Sequence, residues 1–346
     1  MIITRTPFRI TLGGGGTDLP SYYEKRGGFL VTSAIDKYMY VAVNTPFIDR
    51  LLRVKYSKSE TVKSVQELQH ELAREALKHF GIRDALEIVS FADISAGTGM
   101  GSSSCYLVGL LNALQIYKKK NTSIPKLAEL ACDIEMRKLR KPIGKQDAYI
   151  ASYGGILVME IDRKGHVKTS PASVSMTTIR NLEYNSLLYY SGIQRNSEDV
   201  LVDQNTAMKD PKKKNHRVVA ASLDRIKKLG YETLKALEKG DLRQFGGIMD
   251  EHWQHKKNLS AKISSPRIDQ VYKAARSKGA LGGKVIGAGG GGFLLFYAES
   301  GHQKIDKLME ENGMRRLDFR FDFEGSKSLL NLADSRAEYQ KGLENA

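Results

Sequence analysis

Apolar residues recur along this chain at two spacings, and the spacing assigns the elements. Residues 2–12 read as a strand running into a glycine cluster, followed by a short helix at 19–25 and β-rich stretches at 29–43 and 51–57. Across 65–80, Val65, Leu68, Leu72, Ala76, Leu77 and Phe80 fall at helical spacing with Glu67, Glu71, Arg74 and Lys78 between them, and Gly81 is the stop signal. A strand at 86–91 enters a second glycine cluster, and Ser102, Ser103 and Ser104 open an apolar helix over 105–117. A helix at 125–139, a loop at 140–146, a segment at 147–153 and a strand at 155–161 complete the first half.

The polar stretch 163–178 reads as a linker, so the division falls at 178/179, giving domains 1–178 and 179–346. The second half reads as a strand at 187–191, helices at 197–208, 216–238, 242–259 and 267–278, a third glycine cluster, and a strand at 293–297. A helix, a strand at 317–323 and a polar tail finish the chain. Both halves mix helix and strand, and each is long enough to bury its own core. The fold class expected is two-domain α+β.

Composition narrows the function classes. An apolar share of 41% with 27% charged residues suits a globular protein. No window approaches the ~18 consecutive apolar residues of a membrane span, and the start lacks the pattern of a signal peptide, so no membrane and a cytoplasmic location are expected. Two cysteines, Cys105 and Cys132, make neither a disulfide framework nor a four-ligand zinc site and read as buried fillers. The excess of 54 Lys and Arg over 39 Asp and Glu, a net +15, favours anionic partners. Nucleic acid is the competing class, but the lysine runs 118–120 and 212–214 lack interleaved aromatics and read as solvated surface.

Glycine placement is more informative. Fifteen of the 32 glycines lie in three clusters, at 13–16, at 97–101 and at 279–292. In the second, Gly97, Thr98, Gly99, Met100 and Gly101 join a predicted strand to the helix begun by Ser102, Ser103 and Ser104. Glycines let backbone amides turn inward, the helix start adds partial positive charge, and hydroxyls there can cap the helix or ligate Mg²⁺. The expected role is a phosphate site, the alternative being a glycine turn with a serine N-cap. A Walker-type G-x-x-x-x-G-K-[ST] loop does not occur, and the G-x-G-x-x-G at 287–292 lies between strands rather than opening a helix, so a dinucleotide fold is excluded. In the first cluster, Thr17 and Asp18 follow bare backbone, where a carboxylate can accept hydrogen bonds from a polyol or simply cap a helix. His252 and His255 have a spacing that metal ligands use, yet with no third ligand they read as a helix beside a cleft, and Trp253 as core.

Taken in order, the three clusters resemble those of the GHMP small-molecule kinases. The motif P-x-R-x-x-L-x-G-x-x-T-D lies at 7–18, P-x-x-x-G-L-G-S-S-[AS] matches 95–104, and a K-x-[ST]-G-A-G-x-G-G-type loop matches 284–292. Ser95 replaces the usual Pro, and Met100 the usual Leu. The four-glycine loop ending Thr-Asp-Leu-Pro-Ser-Tyr-Tyr, together with 144–147, 190–195 and 282–284, is most similar to the branch that phosphorylates D-glycero-D-manno-heptose 7-phosphate.

The resemblance implies a ribosomal-protein-like first domain with a left-handed crossover and a ferredoxin-like second. It implies Mg-ATP as phosphoryl donor, with residues 97–104 on the nucleotide phosphates and Ser103 and Glu135 on Mg²⁺. Asp147 would be the base, Arg9 would stabilise charge near the transferred group, and Lys145 would assist them. Gly15, Gly16, Thr17, Asp18, Arg195, Gly289 and Gly290 would bind the substrate. Arg195, Lys145, Arg140 and Lys256 are candidates for a second anion site on the phosphate that the acceptor already carries. The alternatives are an unphosphorylated fucose- or galactose-type sugar as acceptor and, outside the enzymes, a nucleic-acid-binding protein. The partner implied is a small sugar phosphate, and a homodimer is left open.

Overall fold

The computed structural model describes residues 1–194 and 197–332. Its first half runs β1 (Ile2–Gly13), α1 (Pro20–Arg26), β2 (Gly28–Asn44), β3 (Leu52–Lys55), β4 (Ser59–Val62), α2 (Glu71–His79) and β5 (Leu86–Ala92). Next come α3 (Ser102–Tyr117), α4 (Ile124–Cys132), α5 (Gln146–Tyr153), β6 (Ile156–Ile161) and β7 (Val167–Pro171). The second half runs α6 (Met176–Asn185), β8 (Ser186–Tyr190), α7 (Ser197–Lys209), α8 (His216–Lys239), α9 (Leu242–Lys257) and α10 (Pro266–Ser277). Last are β9 (Gly282–Val285), β10 (Phe293–Tyr297), α11 (His302–Glu311), β11 (Arg315–Arg316) and β12 (Lys327–Asn331).

Two sheets organise these elements. The larger has the order β12-β1-β2-β5-β3-β4, with β6 beside β2 and β7 beside β6. Strand β2 is long enough to serve two partners on one edge: Gly28–Ser33 pairs with β6 and Met39–Asn44 with β5. The smaller sheet is antiparallel throughout, in the order β11-β8-β10-β9, and is ferredoxin-like.

Helix α3 packs on β1 and β2. Leu107, Val108, Leu110, Leu111 and Leu114 are all fully buried on it, each worth roughly 1.5–3 kcal/mol of transfer free energy. The Thr4 hydroxyl on β1 donates to the Gly109 carbonyl, 2.9 Å, and fixes the depth of the helix on the sheet. With its middle sealed on all sides, α3 exposes chemistry only at its serine-bearing first turn. Cys105 and Cys132 are buried free thiols, as read from their apolar surroundings.

Several expectations are corrected. The helix expected over 65–80 starts at Glu71; Val65–Glu67 is a 3₁₀ turn. The Glu60 carboxylate accepts from the Gln69 and His70 amides, and His70 Nδ1 then caps α2 by accepting from the Ala73 amide, so the chain is drawn out before the helix can begin. The helix expected over 125–139 loosens into a π-helical turn at Asp133–Lys138. The polar linker contains β7, which forms a hairpin with β6.

The expected strand over 317–323 makes only one bridge, Ile35 to Phe321. It fills the irregular stretch of β2 between its two partners, where the Asp36 amide donates to the Arg320 carbonyl and the Asp322 amide to the Ala34 carbonyl. The polar tail holds β12, which pairs with β1 in the first sheet. A simple cut at 178/179 therefore misplaces residues 327–331, because a strand buries its polar edge wherever a partner edge is open, not by sequence order.

Candidate functional site

The cleft between the two sheets is built where β1, the glycine–serine loop, α7, α9 and the loop after β9 converge. Alternation along β1 turns Phe8, Ile10 and Leu12 into the core and Arg9 and Thr11 to the opposite face, where both line the cleft. Gly97, Gly99 and Gly101 have φ of 78°, 81° and 83°. That repeated left-handed geometry is open to glycine, and it precedes a helix N-terminus, so amides can converge on an anion. Gly97, Gly99, Gly101, Ser102, Ser103 and Ser104 all line the cleft.

Arg9 and Asp147 form the central pair. Arg9 Nε and Nη2 donate to Asp147 Oδ1 and Oδ2 at 2.7 and 2.9 Å, and Nη1 donates to the Gly99 carbonyl at 2.6 Å. The fork thereby ties a catalytic-type carboxylate to the phosphate loop. Burial works against the Arg9 charge, but the Asp147 carboxylate outweighs it and raises the guanidinium pKa above its usual value. Each Asp147 oxygen keeps a lone pair beyond those facing Arg9, and Asp147 is the less buried partner, 22% exposed against 5%.

Asp18 faces the same space. Its Oδ2 accepts from the Gln146 amide, 3.0 Å, and its Oδ1 from the Gly16 amide, 3.2 Å. Burial raises its pKa, and repulsion from Asp147 adds to the rise. A Cβ on Gly144 would fall 1.9 Å from Asp18 Oδ2, so the backbone there is shaped around this carboxylate.

Glu135, in the π-helical turn, is fully buried yet reaches the cleft. Its two oxygens accept from Ser103 Oγ and Ser104 Oγ, each at 2.6 Å. Burial outweighs those bonds and raises the Glu135 pKa. The folded chain therefore holds more protons on this group than the unfolded chain between the ordinary and the raised pKa, so stability falls as pH rises through that window. Glu135→Gln is expected to raise the thermal midpoint at pH 7 and flatten its pH dependence in thermal scans across pH 4–8. A lower midpoint throughout contradicts this account.

Other expected site residues sit elsewhere. Thr17 is fully buried, and its hydroxyl is engaged by the Gly14 carbonyl and by the carbonyl and amide of Phe29. It shapes the glycine turn and has no hydroxyl free for a sugar. Lys145 turns away to Glu129 and the Gly165 carbonyl, both at 2.7 Å. Met100 is buried in the core, and the Thr98 hydroxyl closes its own loop by donating to the Ser95 carbonyl. Gly289 and Gly290 pack on Ile263, with the Gly290 amide donating to its carbonyl at 2.7 Å. The part of the third loop that lines the cleft is Ile286–Ala288. There Gly287, φ 71°, lies so close to Gly99 that an added Cβ would come within 2.3 Å of the Gly99 carbonyl. Gly15 and Gly16 line the cleft; Arg140 is exposed and does not; Arg195 lies outside the described residues. The lysine runs are at the end of α3 and between α7 and α8, away from the cleft.

Among the lining residues not assigned to the site from sequence are Gln146, Gln204, His252 and Lys284. His252 and Lys256 are four apart on α9, a spacing that puts both on one helix face. Lys284 is buried inside β9; a lysine in a short strand among glycines and apolar residues is the signal that marks it. Trp253 is fully buried, as core. Among the described residues no three of His, Cys, Asp and Glu gather as a metal cage, and no helix is long and apolar enough to cross a membrane.

Known proteins resemble this chain in sequence and fold. Family models described as "GHMP kinases N terminal domain" and "GHMP kinases C terminal" match residues 48–155 and 233–313. A D-glycero-alpha-D-manno-heptose 7-phosphate kinase of Campylobacter jejuni is 28% identical over 342 residues, covering 94% of this chain and 98% of that protein. Among solved structures, a D-glycero-D-manno-heptose 1-phosphate kinase from Bacteroides thetaiotaomicron aligns with TM-score 0.78 at 22% identity, over 96% of this chain and 99% of that one. A putative sugar kinase from Campylobacter jejuni aligns with TM-score 0.73 at 25% identity, over 94% and 97%. With both family domains present in order and relatives matched over nearly their whole length, this chain belongs to the GHMP kinases and is a sugar kinase, an ATP-dependent phosphotransferase acting on a hydroxyl group.

Proposed function

We propose that this chain phosphorylates the anomeric hydroxyl of D-glycero-D-manno-heptose 7-phosphate, giving the 1,7-bisphosphate and ADP, as a step toward nucleotide-activated heptose for surface polysaccharide. The observation that carries the reading is the Arg9–Asp147 fork braced on Gly99 and facing Asp18. It sets a proton acceptor beside the phosphate loop, with a second carboxylate available to a sugar hydroxyl. The acceptor class comes from the Campylobacter jejuni relative.

Phosphoryl transfer asks mainly for positioning and charge stabilisation. The amides at 97–101 and the α3 N-terminus hold the nucleotide phosphates. Asp147 accepts the proton of the acceptor hydroxyl as its oxygen bonds to the γ-phosphorus. The bond from that phosphorus to the bridging oxygen breaks, and the electron pair leaves with ADP. Arg9 orients Asp147 and places positive charge near the phosphoryl oxygens.

Glu135 and Ser103 fit a Mg²⁺ ion. They offer a buried carboxylate with no cationic partner within salt-bridge distance among the described residues, and a hydroxyl at the head of the phosphate loop's helix. Mg²⁺ takes oxygen ligands, keeps several waters and is commonly completed by phosphate oxygens. When bound it would neutralise phosphate charge.

The test is a steady-state panel with Mg-ATP and free and phosphorylated sugars. The expected result is a kcat/KM for D-glycero-D-manno-heptose 7-phosphate at least about tenfold above that for the free heptose, fucose or galactose, reflecting one charge-assisted contact. Preference for a free sugar overturns the acceptor assignment.

A further inference from the structure

Behind Arg9, on the wall formed by α9 and β9, lies a group of side chains that the reaction as described does not use. His252, Lys256 and Lys284 all line the cleft; His252 and Lys284 are buried and Lys256 is half-buried. Lys256 Nζ donates to the carbonyls of Val285, 2.7 Å, and Gly287, 2.5 Å. Lys284 Nζ donates to the Leu12 carbonyl, 2.9 Å. Neither lysine has a carboxylate within salt-bridge distance among the described residues, although they neighbour each other, Arg9 and His252 closely enough to repel added charge. His252 has no partner on either ring nitrogen, and it is the one cleft-lining residue among the described ones with a buried side-chain polar atom left unpaired.

Such a group is costly to fold. A buried ammonium without a counter-charge and a buried imidazole without a hydrogen bond each cost free energy. The molecule meets part of that cost by losing protons: burial, with repulsion from Arg9, depresses the Lys256 pKa to about 7, and burial with repulsion from Lys256 and Arg9 drives that of Lys284 well down. All three side chains nonetheless line one cleft. An arriving anion favours the ammonium form, which has three N–H groups, so with the anion bound Lys256 has one donor to spare, Lys284 two, and neutral His252 one. Arg9 has three of its five N–H groups committed to Asp147 and Gly99 and adds positive charge beside this wall. The wall is also joined to the phosphate loop, because Lys256 holds the carbonyl of Gly287, the residue packed on Gly99.

We propose that His252, Lys256 and Lys284 form a phosphoryl-binding site on the wall opposite the glycine–serine loop. Bound phosphate supplies the missing negative charge and accepts the unused donors through its peripheral oxygens. Two groups in the reaction carry this chemistry: the γ-phosphoryl of the nucleotide and the phosphate already on the acceptor. The inference deepens the proposed function and rests on it for the second source only.

Calorimetric titration of inorganic phosphate into the full chain loaded with ADP reads the site without any sugar. The wild type is expected to bind phosphate, and Lys284→Met and Lys256→Met each to weaken that binding roughly tenfold or more. Lys256→Arg, which keeps the charge, recovers most of it. Because Lys256→Met also removes the brace on Gly287, His252→Gln serves as a second variant, with thermal unfolding confirming the fold of each.

Kinetics of the same variants then separate the sources. A fall in kcat shared by D-glycero-D-manno-heptose and its 7-phosphate assigns the site to the γ-phosphoryl. A rise in KM confined to the 7-phosphate assigns it to the acceptor's own phosphate. No phosphate binding by the wild type, or wild-type affinity in folded Lys284→Met and His252→Gln, overturns the proposal. If the wild type turns over neither heptose, the acceptor reading fails while the calorimetric result still decides this one.

Discussion

Asp147→Asn is expected to lower kcat by roughly 10²–10⁴-fold, the range that a positioned general base contributes. The change keeps the side chain's size but replaces an acceptor oxygen with an NH₂ group, which cannot take a proton from the acceptor hydroxyl. One of the two Arg9 bonds is lost as well, since an amide nitrogen faces a guanidinium donor. A stability loss accompanies the kinetic one. Removing Asp147's charge strands the more deeply buried partner of the pair, and breaking a buried pair costs about 3 kcal/mol. Turnover should therefore be measured well below the lowered thermal midpoint, with folding checked by circular dichroism. Near-normal kcat in folded protein would remove Asp147 from the role of base.

Arg9→Met has a different signature. It leaves the carboxylate with the larger water exposure unpaired, so it costs less stability than Asp147→Asn. Its kinetic effect remains large, on the order of 10²–10³-fold in kcat, the scale for losing one preorganised charge-stabilising donor. Two functions disappear together: the fork that aims Asp147 and the brace to the Gly99 carbonyl. Arg9→Lys should recover part of the charge but little of the orientation, because an ammonium cannot reproduce a planar fork. Parallel measurement of kcat and thermal midpoint tests the pair. A larger stability loss for Arg9→Met than for Asp147→Asn contradicts the burial argument.

How legible the site was from sequence depended on what each residue needs. Backbone requirements leave a strong mark: the alternation Gly97, Gly99, Gly101 followed by serines at a strand-to-helix junction announces the loop before any fold is known. Arg9, Asp18, Glu135 and Asp147 come from separate elements, and only the resemblance linked them; the structure brings all four to one cleft. Direction was the hidden variable. Thr17 and Lys145 sit beside cleft residues in sequence, yet Thr17 turns to backbone and Lys145 to Glu129. His252, with its unpaired ring, and Lys284, inside a strand, needed the packing of α9 on β9 to be placed.

The fold shows the same division. Helices and strands with clear periodicity appear close to where the pattern puts them, α3 and β10 among them. What local pattern could not show was long-range pairing. The return of β12 to β1 and the strap at 319–322 across the break in β2 both depend on partners some 300 residues away. Glu60 breaking the helix that begins at Glu71 is a tertiary effect on a locally helical sequence.

The most direct test of the central claim is the position of the new phosphate. Purified protein with Mg-ATP and D-glycero-D-manno-heptose 7-phosphate, followed by phosphorus NMR, should show ADP and a second sugar phosphate resonance appearing together in a one-to-one ratio. That resonance should couple to the anomeric proton, the mark of a 1,7-bisphosphate. ADP formed without an anomeric phosphate, or a new phosphate at another carbon, would contradict the account.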